Sequence, residues 1–308
     1  MALPIHPTLA SMPRWRVWLI ASRPRTLTTS TTPILLATLL AWQQGPVSIR
    51  LTILMLLASV LTHAGCNFTN DYFDSVHGVD GEQTLGPGGM LQAGALTSAD
   101  LRRAIIACFG LAFVTAVPVM ATIGWPVVGI AIFAACVAFF YTAGPFPLAY
   151  NRLGEIGVFL AMGIAMVGGT YYVHTGTVTG TALTLATAVG LYAAAILHAN
   201  NIRDIEVDRA HGKITLANTW GKPIAVREYA FLAIAPLVIT IVLVIVQPEY
   251  WPLLISLTVL PRGLRITGLL RNSNTVEESN AAVPQSAQLH MIFALLISLG
   301  LVIMKVLA

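Results

Sequence analysis

The chain has 308 residues, 56% of them apolar and only 10% charged, with a mean hydropathy of +0.77. That balance excludes an ordinary soluble domain and points to a polytopic membrane protein. Basic loops beside anionic lipid account for the net charge of +4, so composition gives no reason to invoke nucleic acid as a partner.

Apolar runs of about 20 residues, the length a helix needs to cross a bilayer, fall at 27–43, 51–70, 101–121, 125–143, 155–174, 180–201, 223–247, 250–270 and 286–308. The expected fold is all-α: one domain over 1–308, a polytopic bundle of about nine transmembrane helices behind a cytoplasmic segment at 1–26. Arg14, Arg16, Arg23 and Arg25 precede the first run and many runs follow it. It therefore reads as a true span and not as a cleavable signal. With the amino terminus inside, 15 of the 17 basic residues lie on the inner side, and only Arg50 and Lys305 lie outside. The positive-inside rule thus sets the orientation and implies a multi-pass protein of the cytoplasmic (inner) membrane. Cys66, Cys108 and Cys136 fall in or beside spans with no C-x-x-C spacing, which offers neither a disulfide framework nor a thiolate metal site.

The acids are as unevenly placed as the bases. Twelve of the 13 lie on the inner side, and seven of those form two clusters: Asp71, Asp74, Asp80 and Glu82 after the second span, and Asp204, Glu206 and Asp208 after the sixth. Asn67-x-x-x-Asp71 recurs as Asn200-x-x-x-Asp204, each time in the last turn of a long apolar helix. At about 100° per residue, Asn67, Asp71 and Asp74 share one sector, as do Asn200, Asp204 and Asp208. Stacked like charges repel by a few tenths of a kcal/mol per pair, so a cation is expected on each face. All-oxygen faces suit hard divalent ions, and Mg²⁺ shares carboxylates with substrate phosphates. The expected metal ligands are Asn67, Asp71, Asp74, Asp204 and Asp208, with Asp80 the next acid along. Two such faces would clamp a diphosphate. Asn200, Asn201, Arg203 and Lys213 are the expected diphosphate-binding residues, although positive-inside anchoring also accounts for the bases. Glu206 points off the Asp204 and Asp208 sector and reads as a surface acid. Glu82, Asp100, Glu277 and Glu278 read as solvated loop acids.

Around these motifs the chain resembles the UbiA superfamily of intramembrane prenyltransferases. SRPRTL at 22–27, NDYFDSVHGVD at 70–80, YTAGPFPLAY at 141–150, GTYYVHTG at 169–176 and NNIRDIEVDRAHGKITLA at 200–217 look like its MenA branch, the 1,4-dihydroxy-2-naphthoate polyprenyltransferases. Gly78, where many members of the superfamily have an acid, and the following Asp80 are similar to that branch. GPGGM at 86–90 lacks the basic residue some relatives carry after Gly-Pro, which leaves Arg102, Arg103 or Lys213 to serve. The resemblance implies a polyprenyl diphosphate donor, a naphthoate acceptor, Mg²⁺, and loss of diphosphate and CO₂ to give demethylmenaquinol. It also implies that Tyr141 lends a π face to an allylic cation and that Arg23 or Arg25 pairs with the acceptor carboxylate. Two other readings stay open: the same chemistry on another acceptor such as 4-hydroxybenzoate, and a cation-coupled carrier, which would place its acids nearer the bilayer midplane. His63 and His198, each near an acidic motif, read as core residues. Gly163, Gly168 and Gly169 read as sites of close helix approach.

Overall fold

The computed structural model describes residues 11–76 and 89–307, the side chain of Arg25 excepted. Every expected span is a helix. Seven are long and apolar enough to cross a membrane: Ile49–Val76, Ser98–Ile123, Gly154–Thr175, Gly180–Arg203, Lys222–Val246, Pro248–Asn272 and Val276–Leu307. Pro24–Gln44, whose apolar residues are diluted by Thr and Ser, and the shorter Trp125–Phe140 stand where the first and fourth spans are expected.

Local chemistry sets the helix ends. Before Ser98–Ile123, the Thr97 hydroxyl accepts from the Asp100 amide at 3.1 Å and the Asp100 carboxylate accepts from the Thr97 amide at 3.1 Å. This is a reciprocal capping box, so Asp100 has a structural use beyond solvation. Gly124 at φ 94° lets the chain turn directly into Trp125–Phe140.

Gly180–Arg203 is the central post. In its most apolar window 67% of the residues are buried, against 11% for Ile49–Val76 and for Ser98–Ile123. Its many alanines, among them Ala182, Ala186, Ala195 and Ala199, allow neighbouring backbones to approach closely. At Gly163 a Cβ would lie 2.6 Å from the Ala186 carbonyl oxygen and from the Gly190 Cα. Gly163 and Gly190 therefore form the crossing point of two helices, whereas Gly168 faces open space. Around this crossing Phe159–Gly168 widens into a π-helix. The largest apolar core binds the post to Pro24–Gln44, Lys222–Val246, Pro248–Asn272 and the last helix, Ala282–Leu307.

The other side of the bundle is hollow. A cavity of about 360 Å³ lies among Pro24–Gln44, Ile49–Val76, Ser98–Ile123, Trp125–Phe140 and Gly154–Thr175, and its wall is almost wholly apolar. Cys66 and Tyr141 line the end nearest the acidic motifs. Val119, Val127 and Val173, packed with Met120 and Tyr172, close the opposite end.

Candidate active site

Both acidic motifs lie at helix ends, beyond the end of the cavity that Cys66 and Tyr141 line. In the first, Asn67 and Asp71 are buried on the face of Ile49–Val76 that meets the amino-terminal segment. Asn67 Nδ2 donates to the Ser22 carbonyl at 2.9 Å, and the Arg23 guanidinium donates to Asp71 Oδ1 at 2.6 Å. Arg23 takes the left-handed conformation at φ 54°, uncommon for a residue with a side chain. The bend between Arg14–Ala21 and Pro24–Gln44 thus delivers its side chain onto Asp71. The structure seats Arg23 on a motif carboxylate. The side chain of Arg25 and the whole of Asp80 lie outside the described residues.

In the second motif the helix breaks at Asp204, between Gly180–Arg203 and Ile205–Ala210. The i to i+4 register nevertheless continues through the break: the Asp204 amide donates to the Asn200 carbonyl at 3.0 Å and the Asp208 amide to the Asp204 carbonyl at 2.8 Å. Asn200, Asp204 and Asp208 therefore keep their shared sector. Arg203 organises it. Nε and Nη2 grip the two oxygens of Asp204 at 2.7 and 2.6 Å, Nη2 reaches Asn200 Oδ1 at 2.9 Å, and Nη1 reaches Asn280 at 3.1 Å. Glu206 is 80% exposed and pairs with Arg209, as a surface acid should. Asn201 is turned away from the motif and donates to Glu155 Oε1 at 2.9 Å.

The loop from Tyr141 to Arg152 joins the two motifs, and here the structure adds contacts that the sequence does not show. Thr142 Oγ1 donates to Asn70 Oδ1 at 2.9 Å on the first motif helix, and Tyr150 Oη donates to Asp74 Oδ1 at 2.8 Å. Lys213 Nζ lies 5.9 Å from the Tyr150 ring centre and 3.1 Å from Asp208 Oδ1. Asp74, Tyr150, Lys213 and Asp208 thus form one chain of contacts from motif to motif. Backbone bonds fasten it, with the Arg152 amide donating to the Ile214 carbonyl at 3.0 Å and the Ile214 amide to the Tyr150 carbonyl at 3.3 Å. At its far end the loop leads into Glu155, buried at 7% exposure, whose carboxylate faces His198 Nδ1 at 2.9 Å as well as Asn201. The only sequence signal for Tyr150 is its place at the end of YTAGPFPLAY. Nothing marks Glu155, because its partners are more than 40 residues away.

The electrostatics couple a buried acid to the base beside it. Burial raises the Asp208 carboxyl to about 6, even with the Lys213 ammonium beside it pulling the other way. Burial lowers Lys213, but the carboxylates of Asp208 and Asp74 more than offset this and hold it above its ordinary value. Arg102 and Arg103 are exposed on Ser98–Ile123, which leaves Lys213 and Arg203, both largely buried, as the bases at the site.

The residues present fit hard divalent cations. Their donor atoms are carboxylate and amide oxygens, and Asp208 Oδ2 is buried with no hydrogen-bond partner among the described residues. Among those residues no three His, Cys, Asp or Glu side chains close round a single point. An ion here would complete its shell with water or phosphate oxygens, which is the manner of Mg²⁺.

Fold and site together define a helical membrane protein with two acidic motifs at helix ends and an apolar cavity among its helices. Residues 30–303 match the UbiA prenyltransferase family, and the chain belongs to that family. It is 34% identical over 234 residues to the 1,4-dihydroxy-2-naphthoate octaprenyltransferase of Escherichia coli (strain K12), covering 73% of this chain and 75% of that one. Identity to the protein of the same name from Bacillus subtilis (strain 168) is 28% over 283 residues, covering 92% and 91%. Among solved structures, a UbiA homolog from Archaeoglobus fulgidus bound to DMAPP and Mg²⁺ superposes with a TM-score of 0.68 at 18% identity, over 94% of this chain and 99% of that chain. A digeranylgeranylglyceryl phosphate synthase gives 0.62 at 16%, over 94% and 99%. At such identities these structures speak for the fold alone.

Proposed function

We propose that the protein transfers a polyprenyl group from polyprenyl diphosphate to a ring carbon of 1,4-dihydroxy-2-naphthoate, releasing diphosphate and CO₂ and giving demethylmenaquinol. The observation that carries this is the proximity of two chemistries, acidic motifs on one side of Tyr141 and an apolar cavity on the other. Oxygen ligands and buried bases suit a diphosphate, and an apolar cavity of about 360 Å³ beginning at Tyr141 suits the hydrocarbon attached to it. The names of the relatives from E. coli and B. subtilis support the naphthoate as acceptor. The 15 to 2 distribution of basic residues supports a cytoplasmic membrane location, with the amino terminus and both motifs inside.

Asn67, Asp71, Asp74, Asp204 and Asp208 would hold Mg²⁺, whose charge makes the diphosphate a better leaving group when bound. Lys213, Arg203 and Asn200 supply charge-assisted hydrogen bonds to diphosphate oxygens. The Tyr141 ring, at the neck between motif and cavity, faces the allylic carbon as its bond to oxygen breaks and stabilises the positive charge. The apolar wall keeps water from that cation. A ring carbon of the acceptor then takes the allyl group, and the carboxylate leaves as CO₂. Arg23, part-exposed beside Asp71, offers a guanidinium to that carboxylate before it departs.

The test is mass spectrometry of products from purified protein in lipid with Mg²⁺, a long polyprenyl diphosphate, and 1,4-dihydroxy-2-naphthoate and 4-hydroxybenzoate in competition. A decarboxylated prenyl-naphthalene is expected. A prenylated hydroxybenzoate would overturn the acceptor, and absence of any product would overturn prenyl transfer to both.

A further inference from the structure

The wall of the cavity carries a few polar side chains for which a hydrocarbon chain has no use. Among them are Ser30, Ser59, Thr62, His63, Cys66 and Tyr141. Four of these have partners within the bundle. Ser30 donates to the Leu27 carbonyl at 2.8 Å, Ser59 to the Ser30 carbonyl at 2.9 Å, Thr62 to the Ala58 carbonyl at 2.8 Å, and the Cys66 thiol faces Asn70 Oδ1 at 3.9 Å. His63 differs: its Nδ1 is buried and has no hydrogen-bond partner among the described residues.

A buried ring nitrogen left unpaired costs about 1–3 kcal/mol, and buried polar groups as a rule have a partner in the functioning molecule. His63 lies one turn below Asn67 and two turns below Asp71 on the same helix, which separates its backbone from that of Asp71 by about 12 Å along the axis. At that depth it is beyond the reach of a diphosphate held by the motif acids. The hydrocarbon of the donor offers it nothing. What remains is the other substrate, which must come beside the allylic carbon near Tyr141 and carries hydroxyl groups on an aromatic ring.

We propose that His63 is an acceptor-binding residue whose Nδ1 takes a hydrogen bond from, or gives one to, a ring hydroxyl of the aromatic acceptor, fixing which ring carbon faces the donor. This rests on the prenyl-transfer reading above and adds to it the residue that recognises the acceptor. An unpaired imidazole on the wall of a mostly apolar cavity discriminates against acceptors lacking the hydroxyl, because such acceptors leave its nitrogen unpaired.

The experiment compares wild type with His63→Leu, His63→Phe and His63→Gln. It measures KM for 1,4-dihydroxy-2-naphthoate, KM for the polyprenyl diphosphate, and the thermal stabilisation that Mg²⁺ plus an unreactive thiolo-diphosphate analogue of the donor confers. We expect KM for the naphthoate to rise at least tenfold in the Leu and Phe variants. KM for the donor and the thermal shift should stay as in wild type, and Gln, which keeps a donor and an acceptor, should restore the naphthoate KM to within about threefold. Either apolar variant carries the test if the other fails to fold. An unchanged naphthoate KM in a folded apolar variant overturns the proposal, and so does a parallel loss of the Mg²⁺-dependent thermal shift, which would make His63 structural. A wild type that fails to prenylate the naphthoate at all removes the underlying reading instead, and is seen without any variant.

Discussion

Asp204 and Glu206 are two residues apart and both are acids, yet the structure treats them differently. Asp204 is held on both oxygens by Arg203 at the edge of the motif, and Glu206 extends into solvent. Replacing a carboxylate by its amide keeps the shape and removes the charge, so it separates ligand chemistry from packing. Asp71→Asn and Asp204→Asn are each expected to lower turnover by at least 100-fold in the product assay with little change in melting temperature, whereas Glu206→Gln stays within about twofold of wild type. Equal losses at 204 and 206 would remove the sector assignment. Tyr150→Phe deletes the hydroxyl that bonds Asp74 but keeps the ring beside Lys213. It should raise the Mg²⁺ concentration for half-maximal rate several-fold, because Asp74 loses a fixed orientation, a net hydrogen bond to a charged group being worth about 1.5–3 kcal/mol. The acids were legible in the sequence because helical periodicity alone stacks Asn67, Asp71 and Asp74, and stacks Asn200, Asp204 and Asp208. The bond from Tyr150 to Asp74 was not, since the two are 76 residues apart and no local pattern encodes a contact of that range.

The loop and helix start spanning 141–155 act as a strut between the motif helices. One end is pinned by Thr142 to Asn70, the middle by Tyr150 to Asp74, and the far end by Glu155 to His198 and Asn201. Both ring nitrogens of His198 face oxygen atoms, Glu155 Oε1 on one side and the Ala225 carbonyl at 2.9 Å on the other. The histidine therefore also ties the strut to Lys222–Val246. Glu155→Leu would leave the His198 ring and the Asn201 amide without this acceptor in the buried interior, at a cost of about 1–3 kcal/mol for each group left unsatisfied. The expected result is a clear drop in the melting temperature of the purified protein. Glu155→Leu combined with His198→Leu should be less damaging than the sum of the two, because neither partner is then stranded. Strict additivity in that cycle would mean the pair contributes nothing as a pair. The helices themselves were legible: observed ends depart from the expected ones by a few residues, most at Val76 and at Ala282. The π-helical stretch at Phe159–Gly168 and the break at Asp204 were not, because each depends on which neighbour the helix meets. The first crosses Gly190 at close range, and the second turns where Arg203 folds back onto its own neighbour.

Across the whole molecule, charge and hydropathy act on different axes. Hydropathy fixes that the helices lie in a bilayer. The distribution of Arg and Lys is the basis for the proposed orientation, which would set both acidic motifs on the cytoplasmic side. The cavity was not legible at all, since a void is a property of how five helices pack and no residue encodes it alone. Orientation can be tested directly. In a background with Cys66, Cys108 and Cys136 replaced by Ala, single cysteines are placed at exposed loop positions on opposite sides: Thr177→Cys after Gly154–Thr175 and Asn274→Cys after Pro248–Asn272. A membrane-impermeant maleimide added to intact cells should label the cysteine at 177 and should reach that at 274 only after the membrane is opened. Asn274 is six residues from Asn280, which bonds Arg203 of the second motif, so its sidedness reports on the motif itself. Labelling of position 274 in intact cells would put both motifs on the outer face, against the positive-inside distribution and away from any diphosphate supplied by the cytoplasm.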